Sequence, residues 1–404
     1  MTRTLFASGS VVDGTGAPPA HADIVVEDGR IVDIGPGLDG DESVDCTGKL
    51  VLPGMMDCHV HFMLDGDLDP MSAMRTPFSL SFFRAADRMA RTLACGITSV
   101  REAGGSDLGV KEAQEQGIVA GPRMQIAISI LSQTGGHGDD WQVCGAGLPS
   151  IVGVEHPGRP HNIVDGPDEM RRKVRELLRA GADVIKVCTS GGVLSPRDDP
   201  RHGHFRDDEL SVAVAEAAAA GAWVMAHAQA TDGIKAAVRT GIRSIEHGIY
   251  LDDEAISMML ERGTFLVPTL VAPKGVLEAS ERGIAVPPEA VEKTKMVMEH
   301  HRDSIARAIE AGVKVAMGTD SGVTPHGQNL RELSEMVGCG MSPMDAIVAA
   351  TRTPAQLMGI DDDRGTLEVG RRADLVVLDG EQLDTVDGMT ERITAVYQDG
   401  VQVA

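Results

Sequence analysis

Residues 52–62 read Leu-Pro-Gly-Met-Met-Asp-Cys-His-Val-His-Phe, an apolar run that carries His59 and His61. On a β-strand, residues i and i+2 point the same way, so the two imidazoles share one face while Cys58 and Val60 point to the other. Two neighbouring imidazoles at the end of a buried strand are typical of a divalent-metal site. A chance pair of histidines is the alternative, so the prediction depends on further ligands elsewhere in the chain.

The composition is that of a globular protein. The chain has 404 residues, of which 42% are hydrophobic and 24% charged, enough for one large α/β barrel with an appendage or for roughly two to three ordinary domains. The net charge of −23 disfavours binding to nucleic acid or to anionic lipid. We see no membrane-spanning run, no signal-like segment and no Cys-x-x-Cys pair among the six cysteines. We therefore expect a cytoplasmic protein with reduced thiols that acts on a small molecule, without a nucleic-acid or membrane partner.

Both ends of the chain carry short strand signals. An Asp-Gly turn at 28–29 separates two β-rich runs, and a second Asp-Gly turn at 399–400 separates two more. Each end is too small to form a stable sheet alone. We predict that residues 1–53 and 362–404 combine into a small composite β-sandwich domain, and that residues 54–361 form the main domain.

The middle of the chain alternates apolar strand candidates with helical stretches. Continuous apolar runs are typical of parallel strands buried on both faces, and several helices close with a small residue and Gly just before the next strand. Eight such strands joined by helices predict an α/β fold of the (β/α)8 TIM-barrel type, with an open doubly wound sheet as the less favoured alternative. The strand candidates are residues 51–62, 97–102, 124–131, 184–189, 223–227, 244–247, 265–270 and 314–319.

Metal-binding residue types recur where the predicted strands end, and in such barrels the active site lies at the carboxyl ends of the strands. Each residue alone is weak evidence for a metal site. A lone histidine can be a core residue whose hydrogen bonds are satisfied, Asp320 can cap a turn, and Lys186 can be ion-paired. Their joint occurrence favours one metal site. The candidates are His59 and His61 on the first strand, Lys186 on the fourth, His227 on the fifth, His247 on the sixth and Asp320 on the eighth.

Lys186 is the unusual member of this set. An ammonium group flanked by Val184, Ile185 and Val187 is costly to bury, and it repels metal ions. Carboxylation by carbon dioxide would convert the amine into an anionic carbamate, whose two oxygens can bridge two cations. An ordinary ion-paired lysine is the alternative.

This pattern resembles the amidohydrolase superfamily, which has His-x-His on strand one, Lys on strand four, His on strands five and six, and Asp on strand eight. The resemblance covers nearly the whole chain. Within the superfamily the chain is most similar to the imidazolonepropionase-like metal-dependent hydrolases, closest to the Xaa-Pro dipeptidase (prolidase-like) branch. Imidazolonepropionase itself fits less well, because a strand-four lysine suits the dipeptidases better. The supporting motifs are LSQTGGHGD at 131–139, KVCTSGGV at 186–193 and GTDSG at 318–322.

The resemblance implies two divalent metal ions, which we expect to be Zn²⁺, with a hydroxide bridging them as the nucleophile. Asp320 would take the proton from the attacking hydroxide and deliver it to the leaving amine. The expected ligands are His59, His61 and Asp320 for one ion, His227 and His247 for the other, and a carboxylated Lys186 between them.

The resemblance also suggests residues that face the substrate. His137, in the long irregular stretch 133–165, would donate a hydrogen bond to the tetrahedral oxyanion. Backbone N–H groups at Gly192 and Val193 would receive a substrate carboxylate, to which a nearby His326 would add charge. The dipeptidases often carry a Tyr two residues after the strand-five histidine, whereas this chain has Gln229, which puts a dipeptide substrate in doubt. The alternative is that His137 and His326 are loop or surface residues without a role at the site.

These residues predict a binuclear amidohydrolase that cleaves an amide or peptide bond of a dipeptide (Xaa-Pro or Xaa-hydrophobic) or of an N-acyl amino acid. The alternative is the same site acting on a cyclic amide, a lactone or an amide-linked natural product or xenobiotic. A non-catalytic assembly protein would be expected to lack some of the ligands. A mononuclear deaminase would use a Glu, but strand alternation points Glu246 away from His247.

We also expect His301, on a long helix, to lie at the surface. A homo-oligomer is an open option by analogy alone.

Overall fold

The computed structural model describes residues 2–69, 71–145, 147 and 156–404, and within them strands and helices alternate through the middle of the chain. The strands are β1 (Thr4–Val11), β2 (Ala20–Glu27), β3 (Arg30–Gly35), β4 (Glu42–Asp45), β5 (Lys49–Pro53), β6 (Met55–Val60), β7 (Ile97–Glu102), β8 (Arg123–Ile126), β9 (Ile130–Leu131), β10 (Val184–Cys188), β11 (Trp223–Ala228), β12 (Ser244–His247), β13 (Phe265–Val267), β14 (Leu375–Asp379), β15 (Ile393–Gln398) and β16 (Val401–Gln402).

Helices follow most of the central strands. The longer ones cover the strands with apolar faces; α4, for example, buries Met170, Val174 and Leu177 while its arginines face outward. The helices are α1 (Ser72–Arg75), α2 (Phe78–Ala94), α3 (Leu108–Glu115), α4 (Pro167–Arg179), α5 (Asp207–Ala219), α6 (Thr231–Thr240), α7 (Asp253–Arg262), α8 (Val271–Glu281), α9 (Pro288–Glu310), α10 (Arg331–Gly338), α11 (Pro343–Ala350), α12 (Arg352–Met358) and α13 (Met389–Arg392). Among the helices that the structure describes, none is both long enough and apolar enough to cross a bilayer.

One sheet contains strands from both ends of the chain. Its order is β16-β15-β14-β5-β1-β2-β3, and β4 pairs with β1. The two ends meet where β14 runs antiparallel to β5, with Leu375 opposite Pro53 and Val377 opposite Val51. An apolar cluster that includes Phe6 and Tyr397 lies on this sheet. The sequence thus predicted correctly that the ends pair, while a separate sandwich domain with boundaries after 53 and before 362 stays a prediction.

The central strands are parallel and follow chain order. β6-β7-β8 form one sheet and β9 to β13 form another, and each neighbouring pair in both sheets is parallel. All residues of β6 and β10 are buried, which explains why these strands are continuous apolar runs. This order is the one that a barrel requires.

The predicted strand 124–131 is divided in the structure into β8 and β9. Ile128, between them, has a φ of 68°, in the left-handed region that a β-branched residue rarely adopts. The bend ends the pairing of β8 with β7 and begins the pairing of β9 with β10. A single continuous strand was therefore a wrong prediction, because the chain turns here from one sheet to the next.

The predicted last strand, residues 314–319, is held by isolated bridges instead of a regular ladder. Parallel bridges join Leu266 to Val315 and Val60 to Ser321. The backbone of this stretch also bonds on both sides, since Leu266 N donates to Lys314 O and Cys58 N donates to Met317 O. The stretch therefore lies between β13 and β6 and brings Asp320 beside the histidines of the first strand.

Candidate metal centre

His59, His61 and Asp320 form a compact group at the end of β6. Their ligand atoms all lie within 4.8 Å of one another, close enough to surround one ion. Asp320 Oδ1 is 3.2 Å from His61 Nε2 and 3.6 Å from His59 Nε2. Both histidines are buried, so the carboxylate and the imidazoles meet away from bulk water. The structure thus brings side chains from the first and the last strand of the central fold together, as the sequence predicted.

Each of these histidines is oriented by a partner at its other ring nitrogen. His59 Nδ1 lies 2.9 Å from Glu246 Oε2, and His61 Nδ1 lies 2.7 Å from the carbonyl oxygen of Gly104. Because carboxylates and carbonyls only accept, each Nδ1 carries the proton and each Nε2 presents its lone pair. A hydrogen-bonded Nδ1 behind a metal-facing Nε2 is the usual arrangement around protein metal ions.

The orientation of Glu246 corrects the sequence prediction. We expected strand alternation to turn Glu246 away from the site, but its side chain is fully buried and reaches His59. The reason is that His247 has a φ of 72° and leaves the strand, so it and Glu246 both reach the centre. Glu246 is in turn held by Arg101, whose Nη2 donates to Oε1 over 2.8 Å, and by Ser244, whose Oγ donates to the same atom over 2.5 Å.

Arg101 is a functional residue that the sequence interpretation missed. It is wholly buried on β7, where its Nε donates to the carbonyl of Cys58 and its Nη1 donates to Ser244 Oγ. A guanidinium group inside an apolar strand must be paired, because an isolated buried charge costs several kcal/mol or more. The charged pair Arg101-Glu102 within the predicted strand 97–102 was the available signal.

The strand-five and strand-six histidines lie on the other side of His59. The ring centroid of His247 is 5.2 Å from that of His59 and 4.6 Å from that of His227. His247 Nδ1 is 2.7 Å from Thr269 Oγ1, which leaves its Nε2 for the centre. His227 Nε2 is 3.0 Å from the carbonyl oxygen of Gly191, so that nitrogen donates and Nδ1 carries the lone pair.

Lys186 completes the group. Its Nζ lies 3.4 Å from His59 Nε2, and its side chain is buried. Burial lowers the pKa of the Lys186 amine, because no solvent stabilises the ammonium form. The structure therefore brings all the predicted ligands to one place. Their assignment as ligands stays a prediction.

Burial sets the charge state of the donors. It holds the pKa values of His59, His227 and His247 well below the ordinary value, so these imidazoles are neutral, which is the form that binds metals. Burial alone would lower the pKa of His61 and raise that of Asp320, but the hydrogen bond and charge interaction between these two groups raise the first and hold the second below its usual range. Neutral imidazole nitrogens beside an ionised carboxylate fit a divalent ion such as Zn²⁺.

Backbone strain is concentrated at this centre. His247, Thr269 and Asp320 have φ values of 72°, 51° and 55°, in the left-handed region that non-glycine residues seldom occupy. Each follows the end of a central strand, where the chain must turn sharply to direct a side chain inward. Such conformations persist only where the surrounding structure enforces them, and they are common at functional sites.

A small cavity of about 60 Å³ opens beside the histidines. His137, Val193 and Gln229, all predicted to face the substrate, line it together with His227, His247 and Asp320. Gln229 Oε1 is buried and lacks a hydrogen-bond partner within the described residues. Apolar walls complete the cavity and are formed by Val193, Leu194, Ile249, Ala272, Val276 and Val323.

Two of the predicted substrate contacts are already engaged within the protein. The Gly192 N–H donates to Asp198 Oδ2 over 2.9 Å. His326 is buried and stacks on Phe62; its Nε2 lies 3.0 Å from the carbonyl oxygen of Leu64. Neither residue is among the described residues that line the cavity, so their positions do not support direct substrate contact.

His301 corrects the expectation of a surface residue. It is buried on α9, and its Nε2 lies 3.0 Å from the carbonyl oxygen of His247 and 2.9 Å from that of Pro268. A helix of 23 residues packs one face on the strand ends, and His301 is on that face while its neighbour His300 is exposed. His301 thus supports the strained turn that carries His247.

The parallel strand order and the buried histidine-carboxylate centre are those of an α/β protein with a candidate metal site. The model of the amidohydrolase family matches residues 50–403, and the chain belongs to that family. It is a hydrolase that acts on C–N bonds of the amide type and lies near the prolidase branch.

Individual relatives are similar over nearly the whole chain. An ochratoxinase from Aspergillus niger is 34% identical over 415 residues, covering 98% of this chain and 86% of the relative. The crystal structure of a Xaa-Pro dipeptidase with bound methionine in the active site is 33% identical with a TM-score of 0.91, covering 99% of both chains. A prolidase complexed with N-methylphosphonate-L-proline is 34% identical with a TM-score of 0.88, again covering 99% of both chains.

Proposed function

We propose that this chain is a binuclear metal-dependent amidohydrolase. It cleaves the amide or peptide bond of a dipeptide, Xaa-Pro or Xaa-hydrophobic, or of an N-acyl amino acid. The observation that carries the proposal is the position of Lys186 Nζ, 3.4 Å from His59 Nε2 and within a ring of neutral, oriented imidazoles. A buried amine among metal-binding groups can take part in metal binding only if it loses its positive charge.

We assign the candidate metal donors to two sets, with Lys186 shared between them. His59, His61 and Asp320 form the compact set described above, and His227 and His247 form the second. Divalent ions bound here, expected to be Zn²⁺, would lower the pKa of a water molecule and polarise the scissile carbonyl. We propose a closed (β/α)8 barrel as the scaffold, because the last strand bridges to both β13 and β6.

Lys186 would act as a carbamate. Its lowered pKa favours the neutral amine, whose lone pair forms an N–C bond to carbon dioxide as one C–O π bond opens. Loss of a proton from the nitrogen then gives a carbamate with one negative charge and two oxygens. The change replaces a cation that repels metal ions with an anion that can bridge them.

Asp320 is the residue suited to move a proton. It is ionised at rest, because its pKa is held below the usual range, and its Oδ1 faces His59 and His61. A carboxylate in this position can accept the proton of the attacking hydroxide and pass it to the leaving nitrogen. His137 lies across the cavity and would donate to the oxygen of the tetrahedral intermediate.

The cavity walls support an apolar substrate. Val193, Leu194, Ile249, Ala272 and Val276 all line the cavity, so a hydrophobic side chain or a proline ring can fill the space. The similar Xaa-Pro dipeptidase holds methionine, and the similar prolidase holds a proline phosphonate. Gln229 can accept a hydrogen bond from the substrate amide, since its Oε1 has no partner within the described residues.

A second candidate is an amide-linked natural product or xenobiotic, or a cyclic amide or lactone. The 34% identity to ochratoxinase across 98% of this chain favours it. The same metal chemistry serves both candidates, and the residues above the cavity decide between them. We expect a small-molecule substrate without nucleic-acid or membrane partners, a cytoplasmic location, and a homo-oligomer as the assembly to test by light scattering.

Substrate libraries test the proposal directly. Zinc-reconstituted protein would be incubated with Xaa-Pro dipeptides, Xaa-hydrophobic dipeptides and N-acyl amino acids, and released amines would be measured. We expect turnover of at least one series and loss of that turnover in D320N, whose amide cannot carry the proton. Turnover confined to lactones or to aromatic amide toxins would instead establish the second candidate.

A further inference from the structure

His137 is held at the cavity by a chain of hydrogen bonds that ends at a buried carboxylate. Its Nδ1 lies 2.7 Å from Ser195 Oγ and 3.4 Å from Asp198 Oδ2. The Asp198 side chain is 1% exposed, so this carboxylate is as deeply buried as the metal-facing residues. None of these contacts involves a predicted metal ligand.

The direction of each hydrogen bond follows from the chemistry of the groups. Ser195 Oγ makes a short contact with Asp198 Oδ1, and an ionised carboxylate can only accept, so the serine hydroxyl donates to it. Ser195 then offers only a lone pair to His137, and the Nδ1 of His137 must donate. The chain of bonds therefore fixes the Nδ1 proton and directs the other nitrogen, Nε2, away from Ser195.

Asp198 is ionised and accepts hydrogen bonds from several groups of its loop and from Lys293. Burial alone would raise its pKa, but the hydrogen bonds from His137 and Ser195 and the charge of Lys293 hold it well below the ordinary value. Lys293 Nζ lies 3.1 Å from Asp198 Oδ1 and donates to the carbonyl oxygen of Ser195 over 2.8 Å. The Gly192 N–H donates to the second carboxylate oxygen, Oδ2.

Gly192 has no side chain, which leaves space for the imidazole ring of His137 against this loop. A Cβ atom at Gly192 would lie 2.3 Å from His137 Cε1 and 2.4 Å from Nδ1, so any other residue would displace the ring. The ring of His137 also stacks on that of His227, with centroids 4.2 Å apart. His137 is thus held between the loop and a predicted metal ligand.

We propose that Asp198 is a positioning residue which, through Ser195, holds His137 with its Nε2 directed at the reacting carbonyl. Asp198 also places a buried negative charge 3.4 Å from the Nδ1 of His137. The inference rests on the proposed function, since it assumes the role given there to His137. It adds a specific pair, Ser195 and Asp198, without which that role would be weak.

A double-mutant cycle tests the proposal. D198N, H137Q and the double variant would be compared with wild type by kcat and KM, on the substrate that the libraries identify. If Asp198 acts through His137, D198N lowers kcat by about 10- to 100-fold with KM nearly unchanged, and it costs nothing further in the H137Q background. The matched control is D199N, because Asp199 pairs with Arg201 over 2.7 Å and makes no recorded contact with His137.

Several outcomes would overturn the proposal. Full activity of D198N contradicts it, and so does a double variant whose losses multiply, because that result means Asp198 supports the loop independently of His137. If H137Q itself is fully active, the proposed role of His137 fails instead, and the two failures are thereby distinguished. S195A serves where D198N does not fold; it removes only the bridging hydroxyl and should lower kcat by several-fold, roughly the loss of one hydrogen bond.

A spectroscopic measurement needs no substrate. In ¹⁵N-histidine-labelled protein, the resonance of His137, assigned through H137Q, should show a protonated Nδ1 whose hydrogen exchanges slowly with water. D198N and S195A should lose the slow exchange, while D199N should keep it. Equal exchange in wild type and D198N would contradict the positioning role.

Discussion

Glu246 Oε2 lies 2.9 Å from His59 Nδ1, and the two side chains are 0% and 2% exposed. Glu246 is itself bound by Arg101 on the neighbouring strand β7, so a continuous chain of charges runs from a wholly buried guanidinium to the imidazole that faces the centre. A histidine whose Nδ1 proton is fixed by a carboxylate is a stronger electron donor at Nε2. The arrangement prepares His59 for a metal ion before any ion arrives.

Replacing Glu246 by Gln should therefore weaken metal binding. The amide cannot hold the Nδ1 proton as a carboxylate does, and it leaves the charge of Arg101 unpaired. We expect Zn²⁺ affinity, measured by competition with a chromophoric chelator, to fall by about 10- to 100-fold. The control is E261Q, an exposed position on α7. Equal affinities of E246Q and wild type would show that Glu246 only fills space.

Lys186→Ala should abolish activity. The variant removes the atom that carries the carbamate, so the bridging anion between the two donor sets is lost. Short carboxylic acids added to the variant should restore part of the activity, because they can supply the missing oxygens. Wild-type protein grown with ¹³C-bicarbonate should also show a carbamate carbon signal that K186A lacks. Full activity of K186A would contradict the bridging role.

Glu332 should make the folded state less stable as the pH rises. Burial raises its pKa to about 8, against an ordinary value of 4.5, despite hydrogen bonds from the backbone N–H groups of Leu270 and Val271. Between these values the folded state keeps the proton and the unfolded state has lost it. Stability from this group is therefore complete below about pH 4.5 and is lost as the pH rises toward 8.

Urea unfolding of chelator-treated protein from pH 5 to 9 measures this effect. The free energy of unfolding of wild type should fall with pH relative to that of E332Q, by about 1.4 kcal/mol per pH unit at most, and the difference should level off above pH 8. Chelator treatment removes the separate pH dependence of metal binding. Parallel curves for the two proteins would mean that Glu332 is ionised throughout.

The thiols should differ sharply in reactivity. Burial raises the pKa of Cys58, Cys95 and Cys188 to about 12, and that of Cys46 to about 11, whereas Cys144 is exposed. A disulfide reagent should therefore titrate Cys144 alone in the native protein and all six cysteines after denaturation. C144S should abolish the native reaction. Rapid native labelling of Cys188, which follows Lys186 on β10, would contradict the closed packing described for that strand.

The sequence predicted which residues meet at the candidate centre because strand ends and residue types are local properties. His59, His61 and Asp320 each lie at the end of an apolar run, and parallel strands bring such ends together. What the sequence could not supply depends on backbone conformation and on packing between distant elements. A φ of 72° at His247 lets both His247 and Glu246 reach the centre, which strand alternation does not predict.

Packing decides the residues that were predicted incorrectly or overlooked. His301 is buried because α9 crosses the strand ends, and the Nε2 of His326 bonds to the carbonyl oxygen of Leu64, 262 residues earlier in the chain. The partner of Arg101 lies on another strand, 145 residues later. No local pattern encodes such long-range contacts, although an arginine inside an apolar run does indicate that a buried partner exists.

The metal content of the purified protein tests the central claim most directly. Protein purified without chelator would be analysed by inductively coupled plasma mass spectrometry, together with K186A as a comparison. The account predicts close to two equivalents of divalent metal per chain in wild type and fewer in K186A, with activity lost on chelation and restored by Zn²⁺. One equivalent per chain in active wild type, or full activity after exhaustive chelation, would contradict it.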